Sequence, residues 1–134
     1  MPAIIVGVLV LALGVAVLIA LALDRPDPAE TAVAYEEAWD RLDFDLLWRL
    51  SSSELRDGRA RQAFVADKGA QYRERVDLAG LIDRVEVETL DTVGQYARAQ
   101  THLHLRNGEE FRNEMRLRRE GNRWSVVAYR VGGS

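Results

Sequence analysis

The chain has 134 residues, no cysteine and a net charge of -3. Its 18 basic and 21 acidic side chains all lie beyond residue 23, as do its ten aromatic residues (3 Trp, 4 Tyr, 3 Phe). This excludes a disulfide-stapled secreted domain and, since no second apolar run follows, a polytopic membrane protein. The polar part is too rich in aromatic and aliphatic residues for a disordered tail, and roughly 110 residues suit one small domain with one core.

From Pro2 to Leu23 the chain is built of Ile, Val, Leu, Ala and Gly. As a helix this run is roughly 33 Å long, enough to cross a hydrocarbon core of about 30 Å. A cleaved signal peptide is the competing reading, with Ala20-Leu21-Ala22 as its small-x-small site. No Lys or Arg precedes the core and the core is long, so the features favour an anchor over residues 1–23. The lipid bilayer is then a partner through residues 2–23, and the expected location is the cell membrane, single-pass. Arg25 is the only basic residue close to either end, which leaves the orientation open.

Residues 24–28, Asp24-Arg25-Pro26-Asp27-Pro28, form a linker. Asp27-Pro28-Ala29-Glu30 reads as a helix start, with Asp27 as cap and Pro28 in the first turn. A helix over about 28–41 carries Ala32, Tyr35, Ala38, Trp39 and Leu42 on one stripe. Asp43 can cap a second helix, Phe44 to Leu50, with Leu46, Leu47 and Leu50. Ser51-Ser52-Ser53 ends it or begins a turn. A third helix is expected over about 58–76, with Ala60, Phe64, Gln71, Tyr72 and Val76 near one face.

From Leu81 the period becomes two, and strands are expected at about 82–90, 95–105, 109–119 and 123–131. Ala97, Ala99, Thr101, Leu103 and Leu105 share one face of the second strand. Tyr96, Arg98, Gln100, His102 and His104 share the other. Asn107-Gly108 invites a two-residue turn, but that register mixes apolar with charged residues on both faces. A three-residue loop, Arg106-Asn107-Gly108, sets Leu103 beside Phe111, Ala99 beside Met115 and Ala97 beside Leu117. It also places Gly108 where such a hairpin needs a left-handed residue. At the next hairpin a two-residue Gly121-Asn122 loop puts Leu117 opposite Val126 and Met115 opposite Ala128, with Trp124, Val126 and Ala128 inward and Tyr129 outward. The fold class is thus α+β: an N-terminal transmembrane helix, then helices, then an antiparallel sheet whose apolar face those helices cover.

The run Ala34-Tyr35-Glu36-Glu37-Ala38-Trp39-Asp40-Arg41-Leu42-Asp43-Phe44-Asp45-Leu46-Leu47-Trp48-Arg49-Leu50-Ser51 resembles the opening helix, turn and second helix of the nuclear transport factor 2-like (NTF2-like, cystatin-like) superfamily. Arg119-Glu120-Gly121-Asn122-Arg123-Trp124-Ser125-Val126-Val127 resembles its last hairpin. The resemblance covers residues 28–131 and implies a cone, a curved sheet wrapped on helices. Seventeen arginines to one lysine point to a GC-rich bacterial genome such as an actinobacterium's.

Isomerase-like and cyclase-like members of that superfamily place Asp, His or Tyr inside the cone. Here the expected inward sheet face offers mainly Thr101 and Asn113, opposite one another, and no catalytic residue is carried over. Tyr35, Trp39, Trp48, Thr101, Asn113 and Met115 are the candidates to line a ligand pocket, since pockets are mostly apolar with a few polar groups. For Thr101 and Asn113 the plainer reading, that they bond each other across the strands, is favoured. His102 and His104, with Glu110 beside His104, are the candidate metal ligands; the plainer reading, two solvated surface histidines, is favoured, and no metal or cofactor is expected. Arg98, Arg112, Arg116, Arg118 and Arg123 form a basic patch. Glu86, Glu88, Glu110 and Glu114 interleave with it, and the domain is net negative, so a salt-bridged solvated face is expected rather than nucleic-acid binding. Gly-rich phosphate loops, nucleophile elbows and Cys clusters are absent.

These features favour a single-pass, membrane-anchored, non-catalytic binding or interaction module, with a protein partner or a second copy as further partners. The alternatives are a small-molecule pocket enzyme of the isomerase or cyclase type, for which Asp40, Asp43, Tyr35 or a His should line a deep cavity, and an accessory subunit of a membrane complex.

Overall fold

The computed structural model describes residues 27–132, so the anchor expected over residues 1–23 and the start of the linker lie outside the described part. Among the described residues no helix is long and apolar enough to cross a membrane. Three helices come first: α1 (Pro28–Asp40), α2 (Phe44–Leu50) and α3 (Arg61–Gln71). A short 3-10 turn (Val76–Leu78) follows, then β1 (Ile82–Val93), β2 (Tyr96–Leu105), β3 (Glu110–Glu120) and β4 (Arg123–Val131). The strands form one antiparallel sheet in the order β1-β2-β3-β4. It is a meander, packed on the helices by its apolar face.

The helix starts follow their caps. Asp27 Oδ1 accepts from the Ala29 amide at 2.9 Å, and Asp43 Oδ1 accepts from the Leu46 amide at 3.1 Å. Each satisfies an amide that has no partner inside its helix. Between α1 and α2 the chain reverses through Leu42, whose φ is 53°. The Asp43 amide reaches back to the Ala38 carbonyl at 2.8 Å. This is the left-handed helix stop that usually takes glycine. A leucine there costs about 1–2 kcal/mol in backbone strain, which its apolar contacts with the core offset.

The third helix is shorter than its apolar spacing predicts. It ends at Gln71, and Val76 is 71% exposed in the 3-10 turn rather than packed on the core. Phe64 is the buried residue of this helix, with Val65 and Tyr72 half-buried against the core, and the pattern beyond Tyr72 has nothing to bury against.

The β2–β3 register is the one that side-chain alternation selects. Leu103 faces Phe111, Thr101 faces Asn113, Ala99 faces Met115 and Ala97 faces Leu117. The Leu105 amide bonds the Glu109 carbonyl at 2.9 Å, and Gly108 has φ 92°.

The β3–β4 hairpin departs from the expected pattern. Leu117 faces Val126 as expected, but Arg116 then faces Ala128 and Met115 faces Tyr129. Val127 is the extra residue of a β-bulge. A one-residue insertion exchanges the two faces of everything beyond it. Tyr129, expected outward, therefore turns inward, and Ala128 turns out. The helix side of the sheet closes on a core of Ala32, Tyr35, Ala38, Phe44, Leu47, Ala97, Ala99, Met115, Leu117, Trp124 and Val126. Beyond α2, Ser51 and Ser52 are buried, and the Ser52 amide bonds the Val126 carbonyl at 2.8 Å. The expected serine turn thus becomes a cover for the β4 edge.

Candidate functional site

Glu36 lies in the middle of α1, one position past Tyr35, and is 1% exposed. A glutamate this deep needs partners, because an unpaired buried charge is costly. Its Oε2 accepts from Asn113 Nδ2 at 2.9 Å, and the same amide nitrogen donates to the Tyr129 hydroxyl at 2.8 Å. The Gly132 backbone amide donates to Asn113 Oδ1 at 3.1 Å. A backbone N–H can only donate, so it fixes the orientation of the Asn113 amide and turns Nδ2 toward Glu36 and Tyr129. The other carboxylate oxygen, Glu36 Oε1, is buried and has no hydrogen-bond partner in the protein.

The three polar groups sit on the wall of a cavity of about 340 Å³. Apart from Asp40, the rest of the lining is apolar or aromatic and comes from the helices and the sheet alike. Trp39 and Leu42 come from α1 and its turn, Tyr72 from the end of α3, and Leu103, Phe111 and Val131 from the sheet. Trp39 is packed edge-on by Tyr72 and Phe44, with ring centroids 5.7 and 6.3 Å away, so this wall is fixed by aromatic contacts.

Burial pushes the Glu36 carboxyl above its ordinary range, while hydrogen bonds from Tyr129 and Asn113 pull the other way. Burial, followed by the nearby Glu36 charge, pushes the Tyr129 phenol well above its ordinary value, so it stays neutral and keeps its proton for donation. Tyr35 is likewise raised, mainly by burial, and meets Tyr129 edge-on at 5.0 Å. The cavity therefore combines an apolar shell, a carboxylate with an open acceptor position and a neutral phenol.

Of the residues singled out from the sequence, Trp39 and Asn113 line this cavity, and so does Asp40. Asp40 is already employed: its Oδ1 accepts from the amides of Leu81 and Ile82 at 2.8 and 3.0 Å, tying α1 to the start of β1. Asp43 caps α2. Tyr35, Thr101 and Met115 are packed in the interior beside the cavity rather than on its wall. Thr101 does not bond the Asn113 side chain; its hydroxyl donates to the Asn113 backbone carbonyl at 3.4 Å. Trp48 lies elsewhere. Its indole donates to the Arg59 carbonyl at 3.0 Å, and the Arg56 guanidinium stacks over its ring at 3.7 Å.

One expectation is corrected here. The interior does hold acid/base groups, Glu36 and Tyr129. Glu36 was hidden because it sits in an acidic Glu36-Glu37 pair that reads as a solvated face; Tyr129 was hidden because the bulge at Val127 reverses its face. The one available signal for Glu36 was its spacing, four residues after Ala32, on the buried side of α1.

The outer sheet face is salt-bridged as expected. Arg112 holds Glu88 through Nε and Nη2 at 3.0–3.2 Å, Arg98 pairs with Glu114 at 3.1 Å, and Arg118 holds both Glu54 and Glu120. The histidines on it are not solvated, however. His102 is 8% exposed and His104 is half-buried, because acidic and basic side chains from β1 and β3 close over them.

No family model matches the sequence, and no curated protein matches it. Solved structures do match. An NTF2-like protein from Campylobacter jejuni, assigned as a candidate transpeptidase, aligns with a TM-score of 0.55 at 13% identity, covering 76% of this chain and 98% of that one. A SEC-C motif containing protein from Rhodopseudomonas palustris aligns with a TM-score of 0.55 at 17% identity, covering 84% and 86%. An NTF2-like protein of unknown function from Silicibacter pomeroyi aligns with a TM-score of 0.48 at 21% identity, covering 90% and 97%. Helices followed by a four-stranded antiparallel sheet thus make this an α+β domain of the NTF2-like fold. A fold of this kind hosts many functions, so the site must carry the functional argument.

Proposed function

We propose that the protein is a small-molecule binding module held at a membrane by residues 2–23. Its ligand is a compact, largely apolar molecule bearing one hydrogen-bond donor, either a protonated amine or a hydroxyl. The observation that carries this reading is Glu36 Oε1, an acceptor buried without a partner beside a cavity of about 340 Å³. Leaving such an acceptor unpaired costs about 1–3 kcal/mol, and a donor on the ligand recovers that cost. The volume lies at the small end of ligand pockets, which run from about 300 to 1,000 Å³. The membrane attachment rests on the length and apolarity of the N-terminal run.

A panel of matched ligands tests the reading. Amines, alcohols and carboxylic acids on the same small hydrocarbon skeletons are added to the full chain in nonionic detergent, and the melting temperature is followed. Amines or alcohols should raise Tm in the wild type and not in Glu36→Leu, and the acids should do nothing. A panel that shifts neither protein, or shifts both equally, overturns the reading.

The second reading, a pocket enzyme of the isomerase or cyclase type, draws on the pairing of Glu36 with neutral Tyr129. A carboxylate raised by burial can take a proton, and a neutral phenol can give one. Turnover of a bound panel member by the wild type, lost in Glu36→Gln while binding persists, favours the enzyme over the binding module.

A further inference from the structure

On the face of the sheet opposite the cavity, His102 and His104 lie two residues apart on β2 and project the same way. Their rings stack with centroids 4.1 Å apart. Glu86 on β1 is the cross-strand neighbour of His102, and Glu110 on β3 is that of His104. One donor atom from each of Glu86, His102 and His104 falls within 4.8 Å of the others. We infer that these three residues form a binding site for a divalent cation of the zinc class, with Glu110 orienting both imidazoles.

The distances fit that assignment. Tetrahedral bonds of about 2.0–2.1 Å place donor atoms roughly 3.3 Å apart. Glu86 Oε2 lies 3.5 Å from His104 Nε2 and 4.0 Å from His102 Nδ1. Small side-chain rotations close that gap. The opposite ring nitrogens both turn to Glu110: its Oε1 is 3.1 Å from His104 Nδ1 and 3.7 Å from His102 Nε2. A metal-bound histidine hands its other ring proton to a carboxylate or carbonyl, which fixes the tautomer. Here Glu110 is within hydrogen-bond distance of His104 Nδ1 and 3.7 Å from His102 Nε2, while His102 Nδ1 and His104 Nε2 lie on the Glu86 side. His102 Nε2 is buried and without a hydrogen-bond partner; a metal on Nδ1 draws the ring into place against Glu110.

Charge agrees with geometry. Glu88 is 3.4 Å from His102 Nδ1 but is neutralised by the two-pronged grip of Arg112. Glu86 then faces Arg84, and Glu110 has Arg112 nearby. Arg84 Nη2 lies 3.2 Å from His104 Nε2, its Nε lies 2.9 Å from Glu86 Oε1, and its side chain is 60% exposed. The guanidinium lies over the proposed metal position, and its exposure gives it room to move aside into solvent. Nitrogen with carboxylate oxygen suits zinc and its neighbours rather than calcium or magnesium, which prefer oxygen alone.

Zinc and cobalt titrations of the full chain, purified without a histidine tag in nonionic detergent, test the inference. One Zn²⁺ per chain should bind in competition with a chromophoric chelator, and excess Ca²⁺ or Mg²⁺ should not displace it. Co²⁺ should give the intense visible band of four-coordinate cobalt. Affinity should fall at least tenfold in His102→Ala, His104→Ala and Glu86→Gln, and about 10–100-fold in Glu110→Gln. Arg84→Met should bind more tightly, and Glu36→Leu should bind zinc as the wild type does, which separates this site from the cavity. Far-ultraviolet circular dichroism checks that each variant is folded. Zinc uptake no greater than that of the folded His102→Ala/His104→Ala double variant overturns the inference. So does a six-coordinate cobalt spectrum in the wild type, a measurement that needs no variant.

Discussion

Glu36→Gln gives the most direct view of the buried carboxyl. The substitution keeps the shape of the side chain and removes its titration. Glu36 is raised from an ordinary value of 4.5 by burial, so between 4.5 and its folded value the native state holds a proton that the unfolded state has lost. Stability from this group is therefore fully present below pH 4.5 and falls as pH rises through that window. The loss levels off once the folded carboxyl is also ionised. The slope can reach about 1.4 kcal/mol per pH unit, and its total is about 1.4 kcal/mol for each unit by which the fold raises the pKa. In acid the wild type should be the more stable protein, because the Gln amide places an extra N–H donor where Glu36 Oε1 has no partner. A buried donor left unpaired costs about 1–3 kcal/mol. As pH climbs toward 8 that advantage should shrink or reverse. The assay is urea denaturation of both proteins at pH 4, 5, 6, 7 and 8, taking the difference so that every other titrating group cancels. A difference that stays constant across the range, or that grows in favour of the wild type, refutes the placement of Glu36 as a desolvated carboxyl.

Leu47 is 1% exposed and anchors α2 in the core; Leu47→Ala should cost about 2–5 kcal/mol in urea denaturation. Asp43→Ala removes the Leu46 cap and should cost about 0.5–2 kcal/mol by the same measurement. A Cβ on Gly132 would overlap the Arg112 backbone carbonyl. Gly132→Ala should therefore displace the end of β4 and loosen the backbone bond from position 132 to Asn113 Oδ1, read as lost amide protection at position 132 in hydrogen exchange. Membranes from cells expressing the full chain should retain it through alkaline carbonate extraction if residues 2–23 span the bilayer, and a version lacking them should be released.

Most of the fold was legible because its signals are local and repeated. Asp27 and Asp43 mark helix starts by residue type, and the 2-residue period from Leu81 onward marks strands. The β2–β3 register was legible for a stronger reason. A shift by one residue would have put Arg112 opposite Leu103, so only one pairing kept the faces clean. The β3–β4 register was legible only as far as Leu117 and Val126. The bulge at Val127 leaves no trace in residue type, since Val127, Ala128 and Tyr129 all suit a strand on either face. Its consequence is large, because it alone brings the Tyr129 hydroxyl to Asn113. The third helix was overread because apolar spacing continues to Val76 while the core it would need does not.

The same alternation that hides the site also separates two chemistries on one pair of strands. Thr101 and Asn113 face the helices, while their chain neighbours His102 and Arg112 face outward and oppose each other. One residue along the backbone moves a side chain from the dry interior to the charged surface. On the inner side, burial raises Glu36 and Tyr129 and favours neutral, hydrogen-bonding chemistry. On the outer side, ion pairs keep carboxylates ionised: the Arg112 guanidinium holds Glu88 below its ordinary range, and Arg118 holds Glu54 down at about 2. A carboxylate that binds a metal must be ionised, and one that exchanges a proton near neutral pH must be raised. Glu36 stands on the side of the sheet that suits the second demand.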